Sequence, residues 1–528
     1  MLPGGALCVA SGVGVERAFC VVGAVGYTDG RFKSITIPGT FEMEKLLDLI
    51  YNRATDWDKA NREALDSLFG QGGRYPSRAV NVVKLRAPKF NAGGGVSFAA
   101  YIHPSNPDSG AYGGTSIVIF PVDDGPCLIS LVVGTQGIAP DEDILGRPGH
   151  GRKLQAICGW LNQEFGHGRQ LAWAKADPVR IDMEMPRQIR EQFAAYQAIF
   201  ERYGKVIYGL YVPNADRNAT RHALTAFLDL LFEERGYFPL TAYKQESDRI
   251  RAGYFSHLMP GVTRAEVATM LADLRYVILE GPPGTGKTRL AEELLKTAYA
   301  GNGMTIQFHP NTTYENFVGG LAPLASDDSF GFRFGPRRGT LMEAAVAAAS
   351  EPTRPYLLHI DEINRADLSK VLGEAIYLLE PKAEHQRQVT LAYDFGAPLY
   401  LQLTLPPNLH ILGTMNSSDR SIAIMDIAIR RRFAFVKLWP QMTVVEQEGT
   451  ALMQEAFRSL MSIFVEHASD EALRLMPGHS YFIENKADTD VRALQAGLAP
   501  LLEEYLEQGY VVGFAEPLRA YLQWIDSL

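Results

Sequence analysis

The sequence has little cysteine: Cys8, Cys20, Cys127 and Cys158 are the only four cysteines among 528 residues. They form no CxxC pair and no close Cys/His pair. This excludes a disulfide-rich scaffold and a cysteine-based zinc site. We therefore expect buried thiols in a reducing cytosol.

The chain also lacks an excess of basic residues and lacks long apolar runs. Its 51 Lys and Arg residues against 60 Asp and Glu residues give a net charge of −9, so any nucleic-acid site must be a local basic patch. No uninterrupted apolar run reaches the ~20 residues that a membrane span needs. Glu16 and Arg17 interrupt the apolar N-terminal stretch and no basic segment precedes it, so we expect no signal peptide. The composition predicts a soluble cytoplasmic protein with no membrane partner.

Ordinary apolar content excludes a disordered or collagen-like chain. Hydrophobic residues make up 46% of the sequence, and its 49 Gly and 30 Pro residues follow no period. The first half combines β-rich runs at 116–122 and 127–134 with helical segments that begin near Lys153. From Tyr276 onward, short apolar runs alternate with helical segments, which is typical of a parallel sheet covered by helices.

The sequence therefore predicts an α/β fold class with four segments. Beyond Pro440 the strand pattern fades and helical periodicity continues. The predicted segments are an N-terminal α+β target-recognition domain at 1–240, a linker and the start of a motor module at 241–270, an α/β nucleotide-binding domain at 271–440 and a helical lid at 441–528.

A glycine-rich turn carries the strongest chemical signal. Residues 281–288 read GPPGTGKT, which fits G-x-x-x-x-G-K-[ST] and lies between a predicted strand and a predicted helix. Backbone N–H groups of such a loop face nucleotide phosphates. Lys287 would reach the β- and γ-phosphates, and the Thr288 hydroxyl would bind Mg²⁺. The residues predicted to bind the nucleotide are Gly281, Pro282, Pro283, Gly284, Thr285, Gly286, Lys287, Thr288 and Arg289.

Two further predicted strands end in polar residues. Asp361 and Glu362 follow the apolar run YLLHI, so Asp361 is a candidate Mg²⁺ ligand and Glu362 a candidate for polarising the attacking water. Asn416 ends the strand LHILGTMN and is a candidate for orienting that water near the γ-phosphate. The alternatives are a pair of solvated acids and an asparagine in a turn.

A cluster of arginines follows a predicted helix. Asp426 precedes Arg430, Arg431 and Arg432, which lie just before the last strand. This position suits the nucleotide of a neighbouring subunit better than the chain's own. An arginine supplied in trans neutralises charge in the transition state. We predict an arginine finger within 430–432, with Arg430 and Arg431 as the catalytic candidates, without deciding which arginine acts. The alternative is a solvated basic run.

In this order, the four motifs resemble those of the AAA+ ATPases. Five segments narrow the resemblance to the McrB family, the GTP-hydrolysing motors of McrBC modification-dependent restriction systems: 308–320, 361–380, 389–406, 413–433 and 477–482. The resemblance covers about residues 255–528. The family's sensing stretch Met-Asn-Thr-x-Asp reads MNSSD here, which adds Asp419 to the catalytic candidates and replaces Thr with Ser.

The resemblance implies a C-terminal AAA+ P-loop domain with a parallel sheet and a helical lid. It also implies GTP or ATP as the substrate and Mg²⁺ as the cofactor. An arginine finger that acts in trans further predicts a homo-oligomeric, hexameric ring. The resemblance also implies that a separate McrC-like nuclease cuts the DNA. No nuclease motif is evident in the N-terminal half. GTP is favoured by the resemblance alone, because nothing in residues 281–288 reads the base.

The N-terminal half matches no named domain. In McrB-like proteins this region is a replaceable specificity module, so the resemblance implies a reader of DNA, including DNA with modified bases. A basic segment before a helix is predicted to contact phosphates through Arg147, His150, Arg152 and Lys153. Tyr101, Trp160 and Trp173 are candidates for stacking on a base. The alternatives are a solvated turn and ordinary core aromatics.

Two other functions compete with a restriction motor. One is a MoxR-like chaperone that remodels protein complexes, and the other is a nucleotide switch that does not hydrolyse. The complete set of Lys287, Asp361, Glu362, Asn416 and arginines argues against a switch. The stretches MNSSD and HSYF favour the restriction motor over the chaperone.

Overall fold

The computed structural model describes residues 41–528 except 53, 55, 90–94, 326–330, 381–386, 418–425 and 484–486. The predicted catalytic residue Asp419 lies outside the described residues, as do Cys8 and Cys20. Cys127 and Cys158 are both buried, as predicted.

A six-stranded sheet forms the centre of the N-terminal half. Its strands are β1 (Lys84–Lys89), β2 (Phe98–Ile102), β3 (Thr115–Phe120), β4 (Leu128–Val133), β5 (Ala172–Ala174) and β6 (Ile207–Tyr211). They lie in the order β1-β2-β3-β4-β6-β5, and every neighbouring pair is antiparallel.

Helices cover both faces of this sheet. They are α1 (Phe41–Tyr51), α2 (Trp57–Asp66), α3 (Glu142–Leu145), α4 (Pro148–Phe165), α5 (Arg187–Gln192), α6 (Gln197–Tyr203), α7 (Arg217–Glu233) and α8 (Thr241–Leu258). Because side chains alternate along a strand, Ile117 and Ile119 pack in the core with α1, α2, α4, α7 and α8. Val118 and Phe120 pack in the opposite core with α5 and α6.

A second unit contains a parallel sheet, two hairpins and helices. Its elements are α9 (Arg264–Leu274), β7 (Tyr276–Gly281), α10 (Lys287–Thr297), β8 (Gly303–Gln307), α11 (Tyr314–Phe317), β9 (Gly319–Ala325), β10 (Phe332–Arg338), α12 (Thr340–Ser350), β11 (Tyr356–Asp361), α13 (Leu368–Leu372), β12 (Gln388–Thr390), β13 (Gln402–Thr404), β14 (Leu409–Asn416), α14 (Ile427–Arg430) and β15 (Ala434–Lys437). The hairpins are β9–β10 and β12–β13.

The five strands of the parallel sheet lie in the order β15-β7-β14-β11-β8. Helices α9 and α10 pack on one face with Val277 and Leu279, while α12 and α13 pack on the other face with Tyr276 and Ile278. Burial on both faces explains why β7 is a continuous apolar run. The predicted fold class, a parallel α/β domain after an α+β half, is confirmed.

A helical unit ends the described chain. Its helices are α15 (Met442–Glu448), α16 (Ala451–His467), α17 (Asp470–Leu473), α18 (Ala487–Ala493), α19 (Ala499–Glu507) and α20 (Ala515–Asp526). They share a core of residues such as Phe457, Leu502 and Leu518. Helix α8, in the segment predicted to be a linker, contributes Ile250 and Tyr254 to the N-terminal core. None of the described helices is both long and apolar enough to cross a membrane.

Candidate nucleotide site

Three neighbouring strands bring their final residues to one edge of the parallel sheet. Gly281 ends β7, Asp361 ends β11 and Asn416 ends β14. Asn416 pairs in register with Gly281, and β11 lies on the other side of β14. Ligands of open α/β sheets bind outside the carboxyl ends of the strands. The predicted phosphate, metal and water-orienting residues therefore meet at one place.

The glycine-rich loop gives α10 an open N-terminus. Gly284 and Gly286 have φ of +80° and +78°, a left-handed conformation that residues with a Cβ rarely adopt. Gly286 directly precedes the first helical residue and, in the part of the chain that the structure describes, no side chain caps the N–H groups of the first turn. Unpaired N–H groups at a helix start favour an anion. Thr285 instead stabilises the loop, because its hydroxyl donates to the Pro282 carbonyl at 2.9 Å.

Lys287 is buried beside the loop. Its Nζ donates to the carbonyl oxygens of Gly281 and Pro282 at 2.9 and 2.7 Å. Burial lowers the pKa of Lys287 to about 8, although the carboxylates of Glu362 and Asp361 oppose this shift. Two neutral carbonyls are weaker partners for an ammonium than a phosphate is. The arrangement therefore favours a phosphate next to Lys287.

Arg289, also predicted to contact nucleotide, pairs elsewhere in the structure. Its Nε donates to Glu293 Oε1 at 3.2 Å, one turn further along α10. Its guanidinium also lies 3.9 Å from a carboxylate oxygen of Glu448 in the helical unit. Arg289 therefore links α10 to the helical unit.

Hydroxyl and carboxylate oxygens cluster beside the loop. Asp361 Oδ1 accepts from Thr288 Oγ1 at 3.0 Å and from Thr414 Oγ1 at 2.5 Å. Such hard oxygen ligands suit Mg²⁺, which uses one or two protein groups together with substrate phosphates. Among the residues described, no group of three or more His, Cys, Asp or Glu side chains could hold a metal unaided. The set therefore fits a Mg²⁺ ion that arrives with a nucleotide.

Glu362 has a strained backbone directly after β11. Its φ of 52° and ψ of 46° are left-handed, and its N–H donates to Thr414 Oγ1 at 3.2 Å. Glu362 Oε2 is buried without a hydrogen bond within the described part of the chain. Arg365 Nε lies 3.5 Å away, an ion-pair distance without hydrogen-bond geometry. Strain of this kind persists at sites where geometry matters for function.

Two asparagines also lie at this edge, Asn416 at the end of β14 and Asn364 in the turn after β11. Asn364 Nδ2 donates to the main-chain oxygen of Asn416 at 3.4 Å. The side-chain oxygens of both asparagines are buried and have no hydrogen-bond partner in the described structure. An unsatisfied buried polar atom costs about 1–3 kcal/mol. Together with Glu362 Oε2, these oxygens fit an edge that receives a polar ligand and a positioned water.

Sequence reasoning missed Thr414 and Asn364. Thr414 lies two positions before Asn416 in a strand that reads as apolar, and Asn364 follows the acidic pair by two positions. Their roles depend on the register of β11 against β14, which pairs Ile360 with Gly413. Neither residue type carries a signal by itself.

The helical unit contacts the glycine-rich loop directly. The N–H groups of Gly478 and Ser480 donate to the carbonyls of Pro283 and Gly284 at 2.8 and 3.0 Å. A Cβ on Gly284 would clash with the side chain of Ser480, and a Cβ on Gly478 would clash with the Gly284 backbone. The segment 477–482, which resembles the McrB family in sequence, therefore lies against the loop.

The arginine cluster lies at the opposite edge of the sheet. Arg430, Arg431 and Arg432 precede β15, and β15 runs parallel to β7 with Ala434 beside Val277. Gly281 lies four residues further along β7, about 13 Å away at ~3.3 Å per residue. The cluster is therefore remote from the chain's own glycine-rich loop.

The three arginines differ in their surroundings. The Arg430 guanidinium lies 5.3 Å from the ring centre of Phe435, and Arg432 Nη1 donates to the Ala428 carbonyl at 2.5 Å. Arg431 is exposed and makes no side-chain hydrogen bond or ion pair with any described residue. Among the three, Arg431 has the most available guanidinium.

The prediction that the basic segment contacts nucleic-acid phosphates is wrong for three of its four residues. His150 is buried, with Nδ1 2.6 Å from Glu234 Oε2 and Nε2 3.0 Å from the Tyr208 hydroxyl. Lys153 is also buried, and its Nζ lies 2.7 Å from Glu234 Oε1 and 2.6 Å from Glu466 Oε1. These groups already have partners in the protein and do not face solvent.

Arg152 and Arg147 complete that segment. Arg152 donates to the carbonyls of Val465 and Ala468 at 2.9 and 2.6 Å, and lies 2.9 Å from Asp470 Oδ1. Arg147 is half-buried just before α4. The basic segment is therefore a contact with the helical unit, because acidic groups and helix-end carbonyls from distant parts of the chain meet it.

The aromatic candidates are mainly structural. Tyr101 is 1% exposed in the N-terminal core, so its predicted stacking role is wrong. Trp160 is half-buried, with its ring edge-on to Phe165 and its indole against Gly253. Trp173 is half-buried against the second core of the N-terminal half.

Comparison with known proteins agrees with the geometry of the sheet edge. The family model "AAA domain (dynein-related subfamily)" matches residues 276–433. The chain is 30% identical over 360 residues to the "Type IV methyl-directed restriction enzyme EcoKMcrB subunit" of Escherichia coli K12, which covers 62% of this chain and 76% of that relative.

Two further relatives match shorter stretches. The chain is 24% identical over 192 residues to the "Type II restriction enzyme BsuMI component YdiS" of Bacillus subtilis 168, covering 30% of this chain and 56% of the relative. It is 28% identical over 178 residues to the "Uncharacterized protein YehL" of E. coli K12, covering 34% and 45%. The chain thus spans about half the length of these two relatives.

Proposed function

The chain belongs to the McrB-like AAA+ proteins, and on that premise we propose that it is the motor of a restriction or anti-phage defence system. It would bind target DNA through its N-terminal half and drive a partner nuclease. The observation that carries the proposal is the meeting of Lys287, Thr288, Asp361, Glu362 and Asn416 at one sheet edge. These residue types at this edge support NTP hydrolysis.

Each residue has a distinct part in that reaction. The open N–H groups of α10 and the ammonium of Lys287 bind the phosphates. Thr288 and Asp361 would hold Mg²⁺, which supplies charge neutralisation at the β- and γ-phosphates. Glu362 polarises the attacking water as a general base, and Asn416 orients that water.

A ring supports the reaction better than a single subunit does. Arg431 is exposed at the sheet edge opposite the glycine-rich loop, so a neighbouring subunit's loop is the site it would serve. Ile427 lies one turn before Arg431 and is 80% exposed. An exposed apolar side chain beside an arginine that has no ion-pair partner among the described residues is suited to a subunit interface. We therefore assign the arginine finger to Arg431 within a homo-oligomeric, hexameric ring.

The restriction role rests on family relationship. Two of the similar proteins are named as restriction enzyme components, which favours restriction over remodelling by a MoxR-like chaperone. Relationship to the McrB subunit favours GTP over ATP as the substrate. It also supports a separate McrC-like nuclease and a DNA target, including DNA with modified bases.

The experiment measures Mg²⁺-dependent hydrolysis of GTP and of ATP by the full chain. DNA binding is measured in parallel with unmodified and methylated duplexes. We expect GTP to be hydrolysed faster than ATP and the chain to bind at least one duplex. Hydrolysis without binding to either duplex would contradict the restriction role and favour the chaperone.

A further inference from the structure

The first turns of α4 lie between the N-terminal sheet and the helical unit. Lys153 joins Glu234 at the end of α7 to Glu466 on α16, at 2.7 and 2.6 Å. Arg152 donates to the carbonyls of Val465 and Ala468 at the end of α16. One short segment of α4 thus contacts both units through buried or half-buried polar groups.

A buried polar network continues from α4 into the N-terminal half. His150 links Glu234 to the Tyr208 hydroxyl, which hydrogen-bonds Thr115 Oγ1 on β3. The Thr115 N–H donates to Asp141 at 2.8 Å. Burial raises the pKa of Glu234, but His150 and Lys153 outweigh it and lower this pKa to about 2. Such networks are rigid when every member has a partner.

Glycines allow the helices to approach closely at this junction. A Cβ on Gly149 would clash with the backbone of Val465 and Glu466 in α16. On the other side of α4, Gly159 lies against the His257 ring of α8, and Gly253 of α8 lies against Trp160. Backbone contact at Gly149 leaves little room for α4 and α16 to slide past each other.

The helical unit also contacts the nucleotide loop through the segment 477–482. Phe482 of that segment packs edge-on against Phe457 of α16, with ring centres 5.1 Å apart. Helix α16 therefore connects the Gly478 and Ser480 contacts on the loop to the Arg152 and Lys153 contacts on α4. A continuous chain of packed groups thus joins the glycine-rich loop to α4.

We propose that the N-terminal half and the helical unit move as one body, so that nucleotide binding at the glycine-rich loop is transmitted through α16 and α4 to the N-terminal half. Because coupling between binding sites is reciprocal, target binding by the N-terminal half also changes nucleotide affinity. The inference rests on the proposed function, since it requires nucleotide to bind at the glycine-rich loop. It gives the N-terminal half a regulatory role at that site.

The test compares two alanine substitutions on the same helix. Gly149→Ala places a Cβ against the α16 backbone, whereas Gly151→Ala places one against the Pro178 side chain within the N-terminal half. Hydrogen exchange of the full chain is measured with and without the slowly hydrolysed analogues Mg·GTPγS and Mg·ATPγS. Peptides that cover α10 measure nucleotide binding at the loop. Peptides that cover α4 and β6 measure the response of the N-terminal half.

In the wild type and in Gly151→Ala, we expect a bound analogue to slow hydrogen exchange at α10. We also expect it to slow exchange at α4 and β6 by about fivefold or more. In Gly149→Ala we expect protection at α10 alone. Arg152→Ala, which removes contacts to α16 without adding volume, should behave like Gly149→Ala and serves if that variant does not fold.

Equal protection of α4 and β6 in all variants would overturn the inference, as would its absence from the wild type. Either result with α10 protected leaves the proposed function standing. A failure of both analogues to protect α10 in the wild type would contradict the proposed function and the inference together.

Discussion

Two helices begin at glycine-rich segments with basic residues, yet their first turns have different surroundings. The N-terminus of α10 follows Gly286, and Lys287 there donates to two neutral carbonyl oxygens. The first turn of α4 packs at Gly149 against the α16 backbone, and Lys153 is paired with two carboxylates. Lys153 of α4 already pairs with two carboxylates of the protein, whereas Lys287 of α10 donates only to carbonyl oxygens of the described chain. We therefore expect an anion to bind at α10 and not at α4.

The largest expected effect lies on the α10 side of this comparison. Glu362→Gln keeps the shape of the side chain but removes the carboxylate that we propose polarises the attacking water. We expect nucleotide to bind as before while turnover falls by about 100-fold or more. Steady-state hydrolysis and equilibrium nucleotide binding measure the two effects separately.

Glu351→Gln is the matched control, because Glu351 is an exposed acid paired with Arg354. It should leave turnover unchanged. Turnover of the Glu362→Gln variant near that of the wild type would assign the general base to another group.

The second effect lies on the α4 side. Lys153→Met keeps the length of the side chain but leaves Glu234 and Glu466 without their shared cation. Removing one partner of a buried ion pair costs about 3–5 kcal/mol of the free energy of unfolding. Urea denaturation measures the loss, with Lys59→Met as the control, since the Lys59–Glu63 pair is exposed.

A Lys153→Met variant that is as stable as the wild type but binds DNA more weakly would contradict the structural role assigned to Lys153. Lys153 would then be a DNA contact, and its ion pairs in the structure would be dispensable.

A smaller effect is the pH dependence of nucleotide affinity, which we expect to follow the protonation of Lys287. Because burial lowers the pKa of Lys287 to about 8, the nucleotide-free protein loses this proton as the pH rises through 8. A bound phosphate favours the charged form and retains the proton. Nucleotide affinity should therefore fall by up to about tenfold per pH unit above pH 8.

Titration of nucleotide binding between about pH 7 and pH 9.5 measures this slope. Lys287→Arg is the control, because arginine stays charged over this range and should remove the slope. Affinity of the wild type that does not change with pH would show that Lys287 is fully charged before nucleotide binds.

Part of the site could be predicted because its signals are local. The segment 281–288 contains its own glycines, lysine and hydroxyl in one turn. Asp361 and Asn416 follow apolar runs, and the carboxyl ends of parallel strands meet at one edge. Asp361 and Asn416 could therefore be placed at the same edge as the glycine-rich loop without knowledge of the strand order. Thr414 could not be predicted from the sequence, because only the register of β14 against β11 brings its hydroxyl to Asp361.

The burial of the basic segment could not be predicted from local sequence. His150 and Glu234 are 84 positions apart, and Lys153 and Glu466 are 313 positions apart. A charge at a helix start is ordinarily solvated unless tertiary structure supplies a partner. Nothing within several residues of Lys153 indicated that a distant helix would provide one.

Under the proposed function, hydrolysis occurs at the edge formed by β7, β11 and β14 and is completed by a neighbouring subunit's Arg431. Mixing inactive Lys287→Ala subunits with inactive Arg431→Ala subunits tests it most directly. About a quarter of the interfaces in a randomly mixed ring would pair an intact loop with an intact finger, and hydrolysis should return to a corresponding fraction of the wild-type rate. Mixtures that stay as inactive as the separate variants, although both assemble, would contradict the account.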